Sequence, residues 1–268
     1  MSSINPPGAG AAPQHFREGQ TMTNEPTIPG PGTGAKLGDF CETATATDLE
    51  ILFRVCQAEG ELGIVTGEPG VGKTTAAQHY AARNDFAFHI TMSPAASMLV
   101  PCLARIGEAI GTYPSGSGAC AWSDAIRSRI RSEPEAQLLL IDEAQHLSDA
   151  AVEEVRSILD ATDVGVVFIG GREIRERWSG RRWAQLTSRV YQSIDIDAPI
   201  AADIDAICTA VGIEGKRARD KLARVARMPG GLRVVRKVLG VASVIAGEGK
   251  PITAASIDAA LKDREESR

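Results

Sequence analysis

Gly67-Glu68-Pro69-Gly70-Val71-Gly72-Lys73-Thr74 stands directly after the apolar run Leu62–Thr66 and opens a stretch of helical spacing that continues to Asn84. It satisfies G-x-x-x-x-G-K-[ST] at every fixed position, and it lies between a strand and a helix, where that pattern has a mechanism. The glycines let backbone N–H groups turn inward around a polyphosphate, and the helix start at Gly72 adds the positive end of its dipole. Lys73 then reaches the β and γ phosphates, and the Thr74 hydroxyl takes a place on Mg²⁺. All eight residues, Gly67, Glu68, Pro69, Gly70, Val71, Gly72, Lys73 and Thr74, are candidate nucleotide contacts.

A second stretch supplies the rest of the chemistry. Leu138-Leu139-Leu140-Ile141 is a wholly apolar run that ends in Asp142 and Glu143. Two carboxylates at the carboxyl end of a buried strand sit where ligands bind in open α/β sheets. Asp142 is placed to hold the metal's water shell, and Glu143 to orient or deprotonate an attacking water as general base. An adjacent acid pair favours hydrolysis over nucleotide storage. The expected cofactors are therefore ATP and Mg²⁺, with Thr74 and Asp142 at the metal.

Around these two stretches, short apolar runs bounded by breakers alternate with segments of helical period. The strands expected are Leu62–Thr66, Phe86–Thr91, Leu138–Ile141, Val164–Ile169 and Val190–Ile196. The helices between them are expected over 48–58, 72–84, 95–110, 122–132 and 150–159, the last capped by Ser148. Such alternation predicts an α/β fold, a mostly parallel five-stranded sheet with helices on both faces. Beyond Pro199 the strand signal stops, and 203–211, 217–227, 232–245 and 254–262 read as helices. The organisation expected is a Gly- and Pro-rich disordered tail over 1–36, a nucleotide-binding domain over 37–199 and a small helical domain over 200–268.

Composition narrows the classes. A chain of 268 residues with 43% hydrophobic and 24% charged residues buries a core without disulfide or metal staples. No run approaches 18 consecutive apolar residues, and residues 1–20 lack the basic start and apolar core of a secretory signal, so no membrane partner and a cytoplasmic location are expected. Cys41, Cys56, Cys102, Cys120 and Cys208 are scattered without a C-x-x-C pair, which points to reduced thiols and away from zinc. A net charge of −5 argues weakly against nucleic acid, but the average conceals an asymmetry. Nine basic residues lie between Lys216 and Lys237 against Asp220 alone, so that stretch is +8 and the remainder −13. A basic patch on an acidic protein is the result.

The loop Gly67–Thr74, the block Ile141-Asp142-Glu143-Ala144-Gln145-His146, a further strand between them and the helical C-terminal part together resemble the AAA+ ATPases. Within that superfamily, Val65–Thr75, Asp142–His146 and Gln185-Leu186-Thr187-Ser188-Arg189 are similar to transposition regulators of the MuB, TniB and TnsC type. The resemblance covers roughly Asp39 to Ala246. It implies a P-loop AAA+ sheet with a C-terminal helical lid, and it adds Thr75 to the nucleotide contacts. It also implies a homo-oligomer, ring or filament, that binds duplex DNA without strong sequence preference and recruits or regulates a transposase. By the same resemblance Arg189, with Arg181 and Arg182 as substitutes, reaches the nucleotide of a neighbouring subunit. Arg233, in Gly230-Gly231-Leu232-Arg233, contacts the γ phosphate of its own chain; both join Lys73 and Glu143 as catalytic candidates.

One position departs from the pattern. A polar residue is expected at the end of the fourth strand, where this chain has Ile169-Gly170-Gly171-Arg172, so slow turnover is expected. Residues 1–36 are not expected to form the helix-turn-helix module that precedes MuB, so DNA contacts fall to the ATPase body. Three clusters are candidates: Arg127, Arg129 and Arg131; Arg172, Arg175, Arg177, Arg181 and Arg182; and the stretch from Lys216 to Lys237. Trp178 and Trp183 beside the second either stack on bases or anchor the core. Two other readings stay open: an ATPase that drives assembly of a protein partner, and a DNA-processing loader.

Overall fold

The computed structural model describes residues 39–247 and 249–266; the tail expected over 1–36 lies outside the described residues. The strands are β1 (Leu62–Gly67), β2 (Ala87–Thr91), β3 (Leu138–Asp142), β4 (Gly165–Ile169) and β5 (Val190–Ile196). They form a parallel sheet in the order β2-β3-β4-β1-β5. Each begins and ends within one residue of its expected bounds, because each is a short apolar run flanked by residues that cannot continue it.

Period-two alternation divides the side chains of the central strands between two cores. Leu62, Ile64, Leu139, Ile141, Val166 and Phe168 face one apolar cluster, which is completed by α3 (Leu99–Ala109), α4 (Ala119–Arg131) and α5 (Asp149–Ala161). Val65, Leu138, Leu140, Val167 and Ile169 face the other, which is covered by α1 (Ala44–Glu59) and α2 (Lys73–Ala82). Parallel strands buried on both faces need helices on both faces, and the near-continuous apolar runs of β3 and β4 follow from that. Gly165 marks the closest approach of the layers: a Cβ there would lie 2.1 Å from the Cys56 carbonyl oxygen of α1.

Beyond β5, α8 (Ala201–Ala210), α9 (Lys216–Ala226), α10 (Gly231–Ala246) and α11 (Ala254–Glu266) enclose a third apolar cluster that includes Ile204, Leu222, Val235, Leu239 and Ile257. No helix among the described residues is long and apolar enough to cross a membrane.

Several helix bounds differ from expectation for identifiable reasons. α1 starts at Ala44, four residues early, because the Thr43 hydroxyl caps it by accepting from the Ala46 N–H. The helix expected over 95–110 divides into a 3₁₀ turn at Pro94–Ala96 and α3. Between β4 and β5 the chain folds into α6 (Glu173–Arg177), a 3₁₀ turn at Arg181–Trp183 and α7 (Ala184–Thr187), which were not anticipated. These short pieces hold because Ile174, Trp178, Trp183 and Leu186 are buried in the first core. Both tryptophans are therefore anchors, and stacking on bases is ruled out. All five cysteines are free; Cys56, Cys102 and Cys208 are buried, and burial pushes the Cys56 and Cys102 thiols up to about 12.

The C-terminal helices are tied to the sheet layer by one buried acid. Asp203, fully buried at the start of α8, accepts from the Thr45 N–H at 2.9 Å, the Thr45 hydroxyl at 2.7 Å and the Ile200 N–H at 3.0 Å. Asp203→Ala strands those donors and is expected to lower stability by about 3 kcal/mol, with Asp203→Asn losing less. Urea unfolding monitored by far-UV circular dichroism measures both; equal stability of wild type and Asp203→Ala would refute it.

Candidate active site

The phosphate loop joins β1 to α2. Its glycines are required by geometry: Gly70 has φ +86°, and a Cβ on it would lie 2.2 Å from the Gly230 carbonyl oxygen. Gly72 caps α2 at φ 106° with no side-chain hydrogen bond, so the first N–H groups of the helix remain available to an anion. Lys73 folds across the loop and donates from Nζ to the carbonyl oxygens of Gly67 at 2.7 Å and Glu68 at 3.0 Å. Burial lowers the pKa of its ammonium, against the opposing pull of Asp142, Glu143, Glu68 and Glu173.

Asp142 ends β3 with 2% exposure. Burial pushes its carboxyl up, but hydrogen bonds from His89, Thr74 and the Glu143 N–H outweigh it and hold the pKa below the usual carboxylate range. The His89 Nε2 lies 3.3 Å from Asp142 Oδ2, and the Glu143 N–H donates to Oδ1 at 2.9 Å. The hydroxyl of Thr74 is thus brought against Asp142, as the two metal candidates require. Among the described residues no group of three or more His, Cys, Asp or Glu gathers to hold a metal unaided. A threonine hydroxyl and one carboxylate are oxygen donors of the kind Mg²⁺ takes, and Thr74 and Asp142 would hold it beside the phosphates. Glu143 follows at φ 55° and ψ 37°, the one non-glycine residue at positive φ among the described residues. That left-handed conformation, at a cost of about 1–3 kcal/mol, turns its side chain toward the loop.

These groups line a cleft of about 770 Å³, bounded by Gly67–Gly70, Gly72–Thr75, Asp142, Glu143, Gly170, Gly171, the start of α10 and the segment before α1, whereas the Val71 side chain is buried in the second core and does not line it. The same cleft is lined by Phe40, which stacks on His79 with ring centroids 3.6 Å apart, and by Ile207, Val211 and Leu239. Apolar side chains and the uncapped N–H groups of α2 within one cleft suit a nucleotide's base and phosphates. Arg233 lies on the cleft wall, one turn into α10.

Sequence reasoning missed His89, Gln145, Glu173 and Arg172 at this site. Arg172 pairs with Glu68 at 3.3 Å and with Asp197, tying the end of β4 to the loop. Only the strand-end position of Arg172 and the block around Gln145 gave a signal; His89 reaches Asp142 across the β2–β3 ladder.

Arg189 stands elsewhere. Val190 pairs with Leu62 at the start of β1, whereas the phosphate loop begins where Gly67 pairs with Ile196. Six residues of strand, roughly 20 Å, separate Arg189 from its own loop, and its Nε pairs with Asp160 at 3.0 Å. Arg182 pairs with Asp149 and lies over the Trp183 ring. In the other clusters, Arg127 pairs with Glu154, Arg129 with Glu133, Arg175 with Asp195 and Arg177 with Asp149. Arg131 donates to the Ala161 carbonyl. In the third cluster Arg219 pairs with Asp205 and Lys221 with Asp258, while Lys216, Arg217, Arg224, Arg227, Arg236 and Lys237 are exposed and form no ion pair among the described residues.

Comparison with known proteins agrees with this arrangement. Residues 57–178 match an AAA domain family, and residues 188–263 match the family of the Mu B transposition protein C-terminal region. The ATP-dependent target DNA activator B of Escherichia phage Mu is 30% identical over 218 residues, 80% of this chain and 69% of that protein. The Mu-like prophage FluMu DNA transposition protein B of Haemophilus influenzae is 30% identical over 202 residues, 73% and 70% of the two chains. Among solved structures, the ORC2 protein of Aeropyrum pernix in ADPNP–ADP complexes is similar in fold, with a TM-score of 0.63 and 16% identity over 84% of this chain and 68% of that one.

Lys73→Ala removes the cation held within the phosphate loop. Affinity for a fluorescent ATP analogue is expected to fall by about 100-fold with the fold intact. Unchanged affinity would place the nucleotide elsewhere.

Proposed function

Because this chain belongs to the Mu B family of ATP-dependent target DNA activators and is an AAA ATPase, we propose that it uses ATP and Mg²⁺ to assemble along duplex DNA and to recruit or regulate a transposase. The observation that carries the reading is the pairing of the two features above: a complete phosphate cleft, and a row of uncompensated cations beginning at the same cleft's rim. In this reading Gly67–Thr75 bind the polyphosphate, and Thr74 and Asp142 hold Mg²⁺, which offsets charge on the transferred phosphoryl group when bound. Glu143 takes the proton of the attacking water. Residues 200–268 act as a lid that brings Arg233 to the phosphates of the same chain.

Arg189 serves a neighbour's cleft. Its distance from its own loop supports that role, because in its own chain it cannot touch the phosphates. Its pairing with Asp160 holds it until a second subunit offers a stronger anion.

For DNA, the first two basic clusters are largely compensated by their own acids, which favours α9 and α10. Arg217 and Arg224 lie two turns apart on one face of α9, with Arg227 beside them. A lone acidic subunit gains little from this stripe, whereas assembly repeats it along one phosphate backbone.

Two outcomes are expected. Glu143→Gln should bind ATP yet lose hydrolysis by about 100-fold or more, and should prolong the assembled state. Arg189→Ala should also lose hydrolysis, and mixing the two variants should restore part of it, because some interfaces then hold an intact base and an intact finger. Phosphate release with sedimentation decides; no recovery in the mixture would argue against action between subunits.

DNA affinity should require ATP, vary little among unrelated duplexes and fall steeply with salt. Replacing Arg217, Arg224 and Lys237 together by alanine should reduce the slope of log affinity against log salt by about 2–3. Fluorescence anisotropy with ATP, ADP and no nucleotide measures it. Equal, weak binding in all three states at low salt would overturn the reading in favour of a protein partner.

A further inference from the structure

We propose that Gln145 is the positioning residue for Glu143, supplying from the turn after β3 the polar group that the end of β4 lacks. This rests on the reading of Glu143 as general base. β4 ends in Gly170-Gly171, so no side chain from that strand can steady the base or the water beside it. The volume is filled from two neighbours: a Cβ on Gly170 would lie 2.2 Å from Gln145 Oε1 and 2.5 Å from the Cδ1 of the buried Ile174. The carboxamide thus stands where a side chain at 170 would begin.

Its orientation is determined. The Gly171 N–H donates to Gln145 Oε1 at 3.3 Å, and Gln145 Nε2 donates to Glu143 Oε2. Reversing the amide would set an N–H₂ against an N–H and an oxygen against a carboxylate, so one orientation alone satisfies both contacts. The backbone of Gln145 is held as well. Arg177 donates to the carbonyl oxygens of Gln145 at 3.4 Å and Leu147 at 2.7 Å and is itself fixed by Asp149. Glu143 needs such a brace, since its left-handed backbone sets the direction of Cβ but leaves the carboxylate free to rotate about its own χ angles. The amide removes that freedom while leaving the other carboxylate oxygen open for water.

The test compares Gln145→Ala, Gly170→Asn, the double variant and Glu143→Gln in steady-state ATP hydrolysis, fluorescent ADP titration and thermal unfolding. Gln145→Ala is expected to lower kcat about 10-fold or more, with KM and ADP affinity within about twofold of wild type and Tm little changed. Gly170→Asn alone should also be slow, because its side chain collides with Gln145 and with the Ile174 δ-methyl. The double variant, made with Ile174→Val to remove the δ-methyl that also crowds position 170, rebuilds an amide just after β4 and should turn over at least about threefold faster than Gln145→Ala in the same Ile174→Val background. A wild-type kcat in Gln145→Ala, a fall in kcat matched by losses of ADP affinity and Tm, or a double variant no faster than Gln145→Ala overturns the proposal. Wild-type turnover in Glu143→Gln instead overturns the assignment of the base on which it rests.

Discussion

An ionised carboxylate at the end of a strand buried on both faces is the constraint around which this molecule is arranged. Asp142 is 2% exposed, and a charge so placed survives only with compensating donors. His89, Thr74 and the Glu143 N–H provide them, and each comes from a different element. His89 requires β2 to pair beside β3. Thr74 requires α2 to begin directly above the sheet, which the glycine loop alone allows. The Glu143 N–H comes from the next residue in the chain, just past the end of the strand. Sheet order and loop are thus coupled through one carboxylate, and the coupling leaves the acid charged where a metal would need it.

A second constraint joins the two halves of the cleft. Gly70 and Gly230 approach so closely that a Cβ on Gly70 would meet the Gly230 carbonyl oxygen at 2.2 Å. The phosphate loop therefore abuts the start of α10 backbone to backbone. Asp203 makes a corresponding tie at the other end, fastening α8 to the first turn of α1. The C-terminal helices are held at two points that flank the cleft.

How far the sequence was legible depended on the range of the deciding interaction. The strands were readable because burial on both faces produces local apolar runs, and the phosphate loop because its glycines and Lys73-Thr74 are contiguous. Thr43 was missed as a cap, although Thr at that position carries the signal, because the apolar period begins only at Leu49. The pieces between β4 and β5 were missed because their stability lies in Trp178 and Trp183 reaching into a core built from distant strands. The contacts of Gln145 and His89 were unreadable for a related reason, although the block around Gln145 marked a site: their partners, Gly171 and Asp142, are 26 and 53 residues away. The arginine clusters were overcounted, since composition shows charges but not the acids that neutralise them.

That neutralisation bears on how nucleotide and charge communicate. Of the candidate clusters, the one whose cations remain largely unpaired is carried by α9 and α10, and α10 is also the helix that abuts Gly70 and presents Arg233 to the cleft. Arg236 and Lys237 follow Arg233 by three and four residues, one turn along the same rigid element. A helix moves as a body, so any displacement that brings Arg233 toward a phosphate displaces Arg236 and Lys237 by a comparable amount. With a Debye length of about 8 Å at physiological salt, the acids on remote faces are screened from this stripe, and its effect is set by its own position. The cleft and the unpaired cations thus share one helix, whose Arg233 and Arg236 both line the cleft.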